Sequence, residues 1–148
     1  MNWILKTFDE LSKEELYQLL KLRSEVFIVE QNCPYQDIDD LDQKAHHLYI
    51  YNKENTKIVA YSRLFNKGIY YEQAAIGRVL VSEEYRKYGY GHDLMKESKR
   101  VIKQLFTTSE IKIGAQLYLK KFYESHGFQQ LGDSYIEDGI PHIHMLCE

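Results

Sequence analysis

The chain is poor in the features that mark secreted, membrane-spanning or nucleic-acid-binding proteins. Its 148 residues hold only two cysteines, Cys33 and Cys147, near opposite ends. That is too few for a disulfide framework and too scattered for a CxxC metal knuckle, so two reduced thiols are expected. No apolar run approaches the ~20 residues of a membrane span, and the start, "MNWILKTFDE", lacks the apolar core of a signal peptide. The expectations are a cytoplasmic location and no membrane partner. Lysine and arginine total 19 against 22 acidic residues, a formal charge of −3. No overall positive field is available to recruit nucleic acid, and any phosphate site has to be local. The chain contains no linker, internal repeat or low-complexity tract, and its length suits one domain over residues 1–148.

What the chain does have is tyrosine, 13 of them, more than a core of this size requires. Many of their hydroxyls are expected at the surface or along a polar cleft. The pattern of apolar residues then sets the order of elements. "NWILKTF" alternates as a strand, and "DELSKEELYQLLKLRSEVFIVEQ" changes to helical spacing through Leu16, Leu19, Leu20, Arg23 and Phe27. Ser12 with Glu15 reads as a capping box and Leu11 with Leu16 as a hydrophobic staple, so the helix begins after Ser12 and ends before Cys33-Pro34. "PYQDIDDLDQKA" reads as a loop, followed by three strands at "HHLYIYN", "IVAYSRLF" and "AAIGRVLVS". A helix at "GHDLMKESKRVIKQLF", a strand at "IKIGA", a helix at "QLYLKKFYESH" and strands at "FQQLG" and "IPHIHMLC" complete the chain. The fold class is α/β (α+β): a mixed central sheet of about seven strands flanked by helices, antiparallel through its first strands and parallel across one right-handed crossover.

One stretch stands apart from this pattern. In "EEYRKYGYGHDLM", Arg86 and Lys87 directly precede Gly89 and Gly91 at the start of a helix. Glycines let backbone N–H groups turn toward one point, and a helix start adds the positive end of its dipole. Two cations beside that turn suit a diphosphate better than a single carboxylate. A Walker A loop would need Gly-Lys-Ser/Thr, and a dinucleotide fingerprint would need glycine at Leu94, so neither common phosphate motif fits. A basic turn that uses its glycines only for chain reversal is the competing reading of this segment.

The pattern "VLVSEEYRKYGYG", apolar-x-apolar and then Arg-x-x-Gly-x-Gly, resembles the pyrophosphate loop of the GNAT acetyltransferases. A second motif of that family is similar to "QLYLKKFYESHGF": a polar residue, Gln116, then seven positions later Tyr123, with Gly127-Phe128 following. "RSEVFIVEQNCPYQDIDDLDQKAHHL" and "YIEDGIPHIHM" further resemble the small ElaA-like branch. The resemblance implies acetyl-CoA as co-substrate, no metal, and a small-molecule or peptide amine as acceptor. It implies a diphosphate held by Arg86, Lys87, Tyr88, Gly89, Tyr90 and Gly91, and a pantetheine arm along the main chain of Val79, Leu80 and Val81 with Gln116 beside it. Gln116 stands where many members carry asparagine. An N–H near Leu80 or Val81 then faces the thioester oxygen, where negative charge grows.

Tyr123 occupies the family's general-acid position, and with an ordinary pKa of about 10 its hydroxyl is protonated at neutral pH. Its alternative is an aromatic packed on the buried face with Leu119 and Phe122. For the proton lost by the amine the chain offers Glu30, Asp39, His46, His47, Asp138 and His142. The resemblance favours Glu30, His46 and His142 on the acceptor side, with Asp138 adjoining. The structural alternatives are a helix-end cap for Glu30 and packed or surface imidazoles for the histidines. The acidic run "DIDDLD" either attracts a cationic amine or is a solvated, capping loop. The rival functions are a catalytically silent acyl-CoA sensor, a metal protein using His142, His144 and other His or Cys residues, and a nucleic-acid module built on "YRKYGY". Monomer and homodimer both remain open.

Overall fold

The computed structural model describes all residues from Met1 to Glu148. Strand β1 (Ile4–Thr7) leads through a 3-10 turn into helix α1 (Lys13–Arg23). The helix starts where the capping box requires: the Ser12 hydroxyl accepts from the Glu15 N–H at 3.0 Å, and the Glu15 carboxylate accepts from the Ser12 N–H at 2.8 Å. It runs on into a π-helical segment, Ser24–Glu30, and stops short of Cys33-Pro34. Strands β2 (His46–Tyr51), β3 (Ile58–Phe65) and β4 (Ala74–Val81) then pair antiparallel in sequence. Helix α2 (Tyr90–Phe106) carries the chain to β5 (Ile111–Gln116), which returns parallel to β4. Helix α3 (Lys120–Glu124) and the hairpin β6 (Gln129–Glu137) and β7 (Ile140–Cys147) follow. The sheet has seven strands in the order β1-β2-β3-β4-β5-β7-β6.

Two segments near the C-terminal end differ from the expected pattern. "QLYLKKFYESH" is a 3-10 turn, Leu117–Leu119, followed by a helix of only five residues. The chain turns back at once, with Phe128 N–H donating to the Tyr123 carbonyl at 3.2 Å and Gly127 at φ +89°. Strand β6 extends well past "FQQLG", because Asp138 (φ +51°) and Gly139 (φ +75°) form a tight two-residue hairpin with both residues left-handed.

The sheet buries apolar residues on both faces. On one, α2 presents Leu94, Met95, Val101, Ile102 and Phe106 to Ile76, Ile111, Ile113, Ile143 and Met145. On the other, Leu19, Leu22 and Val26 pack on Tyr49, Ile58, Tyr61 and Leu80, with Leu11 and Leu16 at the margin. Each large aliphatic side chain so buried contributes about 1.5–3 kcal/mol. No helix is long and apolar enough to cross a membrane.

The acidic segment after Pro34 is a loop in which Asp39 caps a turn, accepting the Leu41 N–H at 3.2 Å, but Asp37, Asp39 and Asp42 are tied to arginines and so are neither solvated nor free to attract a cation. Asp37 and Asp42 are buried, and so are Arg23 of α1 and Arg63 of β3. Arg23 pairs with Asp37 at 2.9 Å and with Asp42 at 2.7 Å. Arg63 grips both oxygens of Asp39 at 2.8 Å and reaches Asp42 at 3.0 Å. Arg78 closes the set on Asp37 at 2.7 Å and on Asp39 at 3.4 Å. Three guanidinium groups thus neutralise three carboxylates. Burial opposes the charge on Asp42, yet hydrogen bonds and charges from Arg23 and Arg63 outweigh it and hold its carboxyl below the usual range.

Candidate active site

The site begins where the sheet splits. β4 and β5 pair only at Ala74–Ile111 and Ala75–Lys112, after which their facing edges separate. β4 carries an irregularity at the same place: Tyr61 opposes Leu80 while Arg63 opposes Gly77, so one extra residue sits on β4. Arg78 there takes φ +50°, a left-handed conformation that costs a non-glycine residue about 1–2 kcal/mol. Its anchor is Asp37, which accepts from Arg78 Nε through Oδ1 at 2.7 Å and from the same guanidinium through its carbonyl at 3.0 Å. The buried ion network therefore holds the bulge that turns the edge of β4 toward the cleft.

Between the strands lies a cleft of about 430 Å³. It brings together Val79, Leu80, Val81, Arg86, Gly91, Gln116, Tyr123, Glu30, Asp138 and His142, which are ten of the residues singled out in the sequence. At one end α2 begins, with Gly89 at φ +77° as its N-cap. The first N–H groups of such a helix have no intrahelical acceptor. A methyl group on Gly91 would lie 3.6 Å from the Phe122 ring and 3.9 Å from Val81, ordinary contacts, so packing does not demand glycine there. Its effect is bare backbone beside the helix start, where an anion can approach. Lys87, Tyr88, Gly89 and Tyr90 belong to this turn but do not line the cleft. The Lys87 ammonium lies 5.4 Å from the Tyr88 ring centre.

Arg86 has partners the sequence did not reveal. Its Nε–H donates to the Val81 carbonyl at 2.9 Å, and its guanidinium pairs with Glu30 at 2.7 Å. Glu30 is thus not a helix-end cap. Gln116 donates to Gln31 Oε1 at 3.2 Å, bringing β5 against the end of the π-helical segment.

Tyr123 is 6% exposed, and its hydroxyl has no hydrogen-bond partner in the protein although the residue lines the cleft. Burial, and to a lesser extent the nearby Tyr118 hydroxyl, pushes its pKa well above the ordinary value, so it holds its proton. Its ring also packs edge-on to Phe122 and Phe128, so packed and cleft-lining descriptions both apply. His142 donates from Nδ1 to the Ile140 carbonyl at 2.7 Å, because a carbonyl only accepts. That leaves Nε2, 3.6 Å from the Glu137 carboxylate, on the cleft side.

Three candidates lie elsewhere, and the reasons are physical. His46 is edge-on to Phe106 at the far end of α2, with ring centroids 5.4 Å apart, and does not line the cleft. His47 is fully buried, donating from Nε2 to the Asp42 carbonyl at 2.9 Å and accepting the Tyr61 hydroxyl at 2.6 Å through Nδ1. Asp39 is committed to Arg63. Residues the sequence reasoning missed include Gly77, Arg78, Gly114 and Glu137, all lining the cleft. Only the glycines inside strand patterns carried a signal. No group of three His, Cys, Asp or Glu side chains is arranged to hold a metal ion, and Cys33 and Cys147 are free and buried.

A split parallel strand pair, a bulge on one edge and a helix start facing the gap define an acyl-CoA N-acyltransferase fold, and the comparisons agree. The family model described as "Acetyltransferase (GNAT) domain" matches residues 7–148. The chain belongs to the GNAT acetyltransferase-domain family. Its relatives place it in the ElaA-like branch. It is 43% identical to protein ElaA of Escherichia coli over 148 residues, spanning 100% of this chain and 97% of that protein. A UPF0039 protein of Schizosaccharomyces pombe is 40% identical over 149 residues, with the same coverage. The crystal structure of Escherichia coli ElaA matches with a TM-score of 0.91 at 40% identity over 99% of each chain. An acyl-CoA N-acyltransferase from Pseudomonas aeruginosa matches at 0.92 and 38% over 100% of each.

Proposed function

We propose that the chain transfers an acetyl group from acetyl-CoA to the primary amine of a small molecule or peptide in the cytoplasm, by direct attack within a ternary complex. The observation that carries this reading is the meeting, in one cleft, of a bare helix N-terminus, two unpaired strand edges and the unpartnered Tyr123 hydroxyl. Coenzyme A supplies the acetyl group as a thioester, activated for attack by nitrogen.

The residues present fit such a donor. The N–H groups at the start of α2, beside Gly89 and Gly91, meet the diphosphate, and Arg86 adds charge by exchanging Glu30 for it. Lys87, Tyr88 and Tyr90 shape the same turn from outside the cleft. The main chain of Val79, Leu80 and Val81 pairs with pantetheine amides as an added strand would, with Gln116 opposite. An N–H of Leu80 or Val81 stabilises the developing oxyanion. On the acceptor side, the nitrogen attacks as free amine and passes its surplus proton to His142 Nε2, with Glu30 as the second acceptor and Asp138 at the rim. The C–N bond forms, the C–S bond breaks, and the sulfur takes the Tyr123 proton; both side chains then re-equilibrate with solvent.

The test is a thiol-release assay with primary amines, run on the native chain and on Tyr123→Phe. The variant should bind acetyl-CoA unchanged and lose about 10²–10⁴-fold in kcat. Acetyl-CoA binding without thiol release for any amine would favour the silent acyl-CoA-binding alternative.

A further inference from the structure

The charge lining the cleft is one-sided. Three carboxylates line the cleft, Glu30, Glu137 and Asp138, against two guanidinium groups, Arg78 and Arg86. Neither cation is free for the acceptor: Arg78 is held by Asp37 and Asp39, and Arg86, paired with Glu30 and the Val81 carbonyl, stands at the start of α2 where the diphosphate is placed. No cation is left to meet a carboxylate carried by the acceptor, whereas Glu137 and Asp138 have no arginine or lysine partner. Two polar side chains point to a ligand there. His142 is 9% exposed and Tyr123 is 6% exposed, and neither His142 Nε2 nor the Tyr123 hydroxyl has a partner within hydrogen-bond distance.

The shape is equally restrictive. Gly77, inside central strand β4, has no left-handed backbone, and a methyl group built on it would meet nothing within 4 Å. Neither conformation nor packing calls for glycine, which weakens a strand interior. Its presence leaves open space in the cleft. Gly114 faces it across the split, and there a methyl group would lie 3.1 Å from the Tyr71 hydroxyl and 3.3 Å from the Tyr135 hydroxyl. The slot thus has bare backbone at Gly77 and Gly114, and the Tyr71 and Tyr135 hydroxyls leave no room for a side chain at Gly114.

We infer that the acceptor is an unbranched aliphatic diamine or polyamine, its chain lying over Gly77 and Gly114 and its second ammonium held at Glu137 and Asp138. A slender methylene chain fits the slot, the second positive charge meets carboxylates that no arginine or lysine neutralises, and an amino acid's carboxylate is repelled. This assignment rests on the acetyl-transfer reading of the same cleft.

The test compares three probes of one chain length in the thiol-release assay: 1,4-diaminobutane, butylamine and 4-aminobutanoate. Acetyl-CoA binding is followed separately by calorimetry. The diamine should exceed butylamine in kcat/KM by about tenfold or more, as a charge-assisted contact implies, with 4-aminobutanoate lowest. Glu137→Gln should reduce kcat/KM for the diamine more than for butylamine; its carboxylate side chain is 57% exposed, so the fold does not depend on it. Gly77→Val should raise KM for both amines and leave acetyl-CoA affinity unchanged. Equal use of diamine and butylamine, or preference for 4-aminobutanoate, would overturn the inference. Acetyl-CoA binding with no thiol release from any probe would also overturn it while leaving the donor site intact. No acetyl-CoA binding would remove the acetyl-transfer reading and this inference together.

Discussion

Replacing Asp42 by alanine probes the link between the buried ion network and the fold. Asp42 Oδ1 accepts from Arg23 at 2.7 Å and from Arg63 at 3.0 Å, and all three side chains are almost wholly buried. Truncation leaves three guanidinium groups facing two carboxylates. Arg23 keeps Asp37 and Arg63 keeps Asp39, so one positive charge is left without its own counter-charge in a network that is mostly buried. Breaking a buried pair in this way costs about 3–5 kcal/mol, a large part of the ~5–15 kcal/mol that holds a typical domain. At about 2–4 °C per kcal/mol for a chain of this length, the melting temperature should fall by about 6–20 °C. Urea unfolding followed by tryptophan fluorescence and circular dichroism gives the free-energy difference directly. Lys57→Ala is the control, because its pair with Glu84 at 3.1 Å is exposed and should be worth less than about 1 kcal/mol. If Asp42→Ala and Lys57→Ala cost the same, the network is not what fastens the acidic segment and the β4 bulge.

Other consequences follow from the same structure. Ser12→Ala removes the oxygen that accepts the Glu15 N–H and should cost about 1 kcal/mol in urea unfolding, with no effect on acetyl-CoA binding. Glu15 is disfavoured as a carboxylate by burial, but Lys6, the Ser12 N–H and the Tyr49 hydroxyl overcome this and lower its pKa from 4.5 to about 2. Its contribution to stability is complete above about pH 4.5 and disappears as pH falls toward 2. His47 and His126 are held below their ordinary pKa, His47 by burial and His126 by burial together with His92, Lys99 and Lys96. Unfolding lets both take up protons, so stability should already decline below about pH 6.5. Thermal melts across pH should therefore show a shallow fall first and a steeper one below about pH 4.5; a flat profile between about pH 6.5 and 4.5 would refute the histidine assignments, and no further fall between about pH 4.5 and 2 would refute that of Glu15.

The sequence carried the helices and strands where apolar spacing is regular. Ser12, Glu15 and the stripe of α1 were legible because a capping box and a helical period are local properties. The parallel pairing of β4 with β5 was legible, since a strand, helix and strand around Gly89 and Gly91 require a parallel return. The acidic segment was not legible, because its meaning depends on Arg23, Arg63 and Arg78, which lie far away in the chain. His46 and His47 were indistinguishable from cleft residues by sequence, although adjacent strand positions face opposite ways and one imidazole is sealed between Tyr61 and the Asp42 carbonyl. Gly77 and Gly114 looked like ordinary strand glycines until the two strands were seen to part beside them.

The donor site is the central claim, and calorimetric titration with acetyl-CoA tests it most directly. The native chain should bind one equivalent with micromolar affinity, and Arg86→Glu, which sets a second carboxylate beside Glu30 at the start of α2, should weaken binding at least about tenfold. No binding by the native chain, or equal affinity in the two proteins, would contradict the assignment of this cleft to coenzyme A.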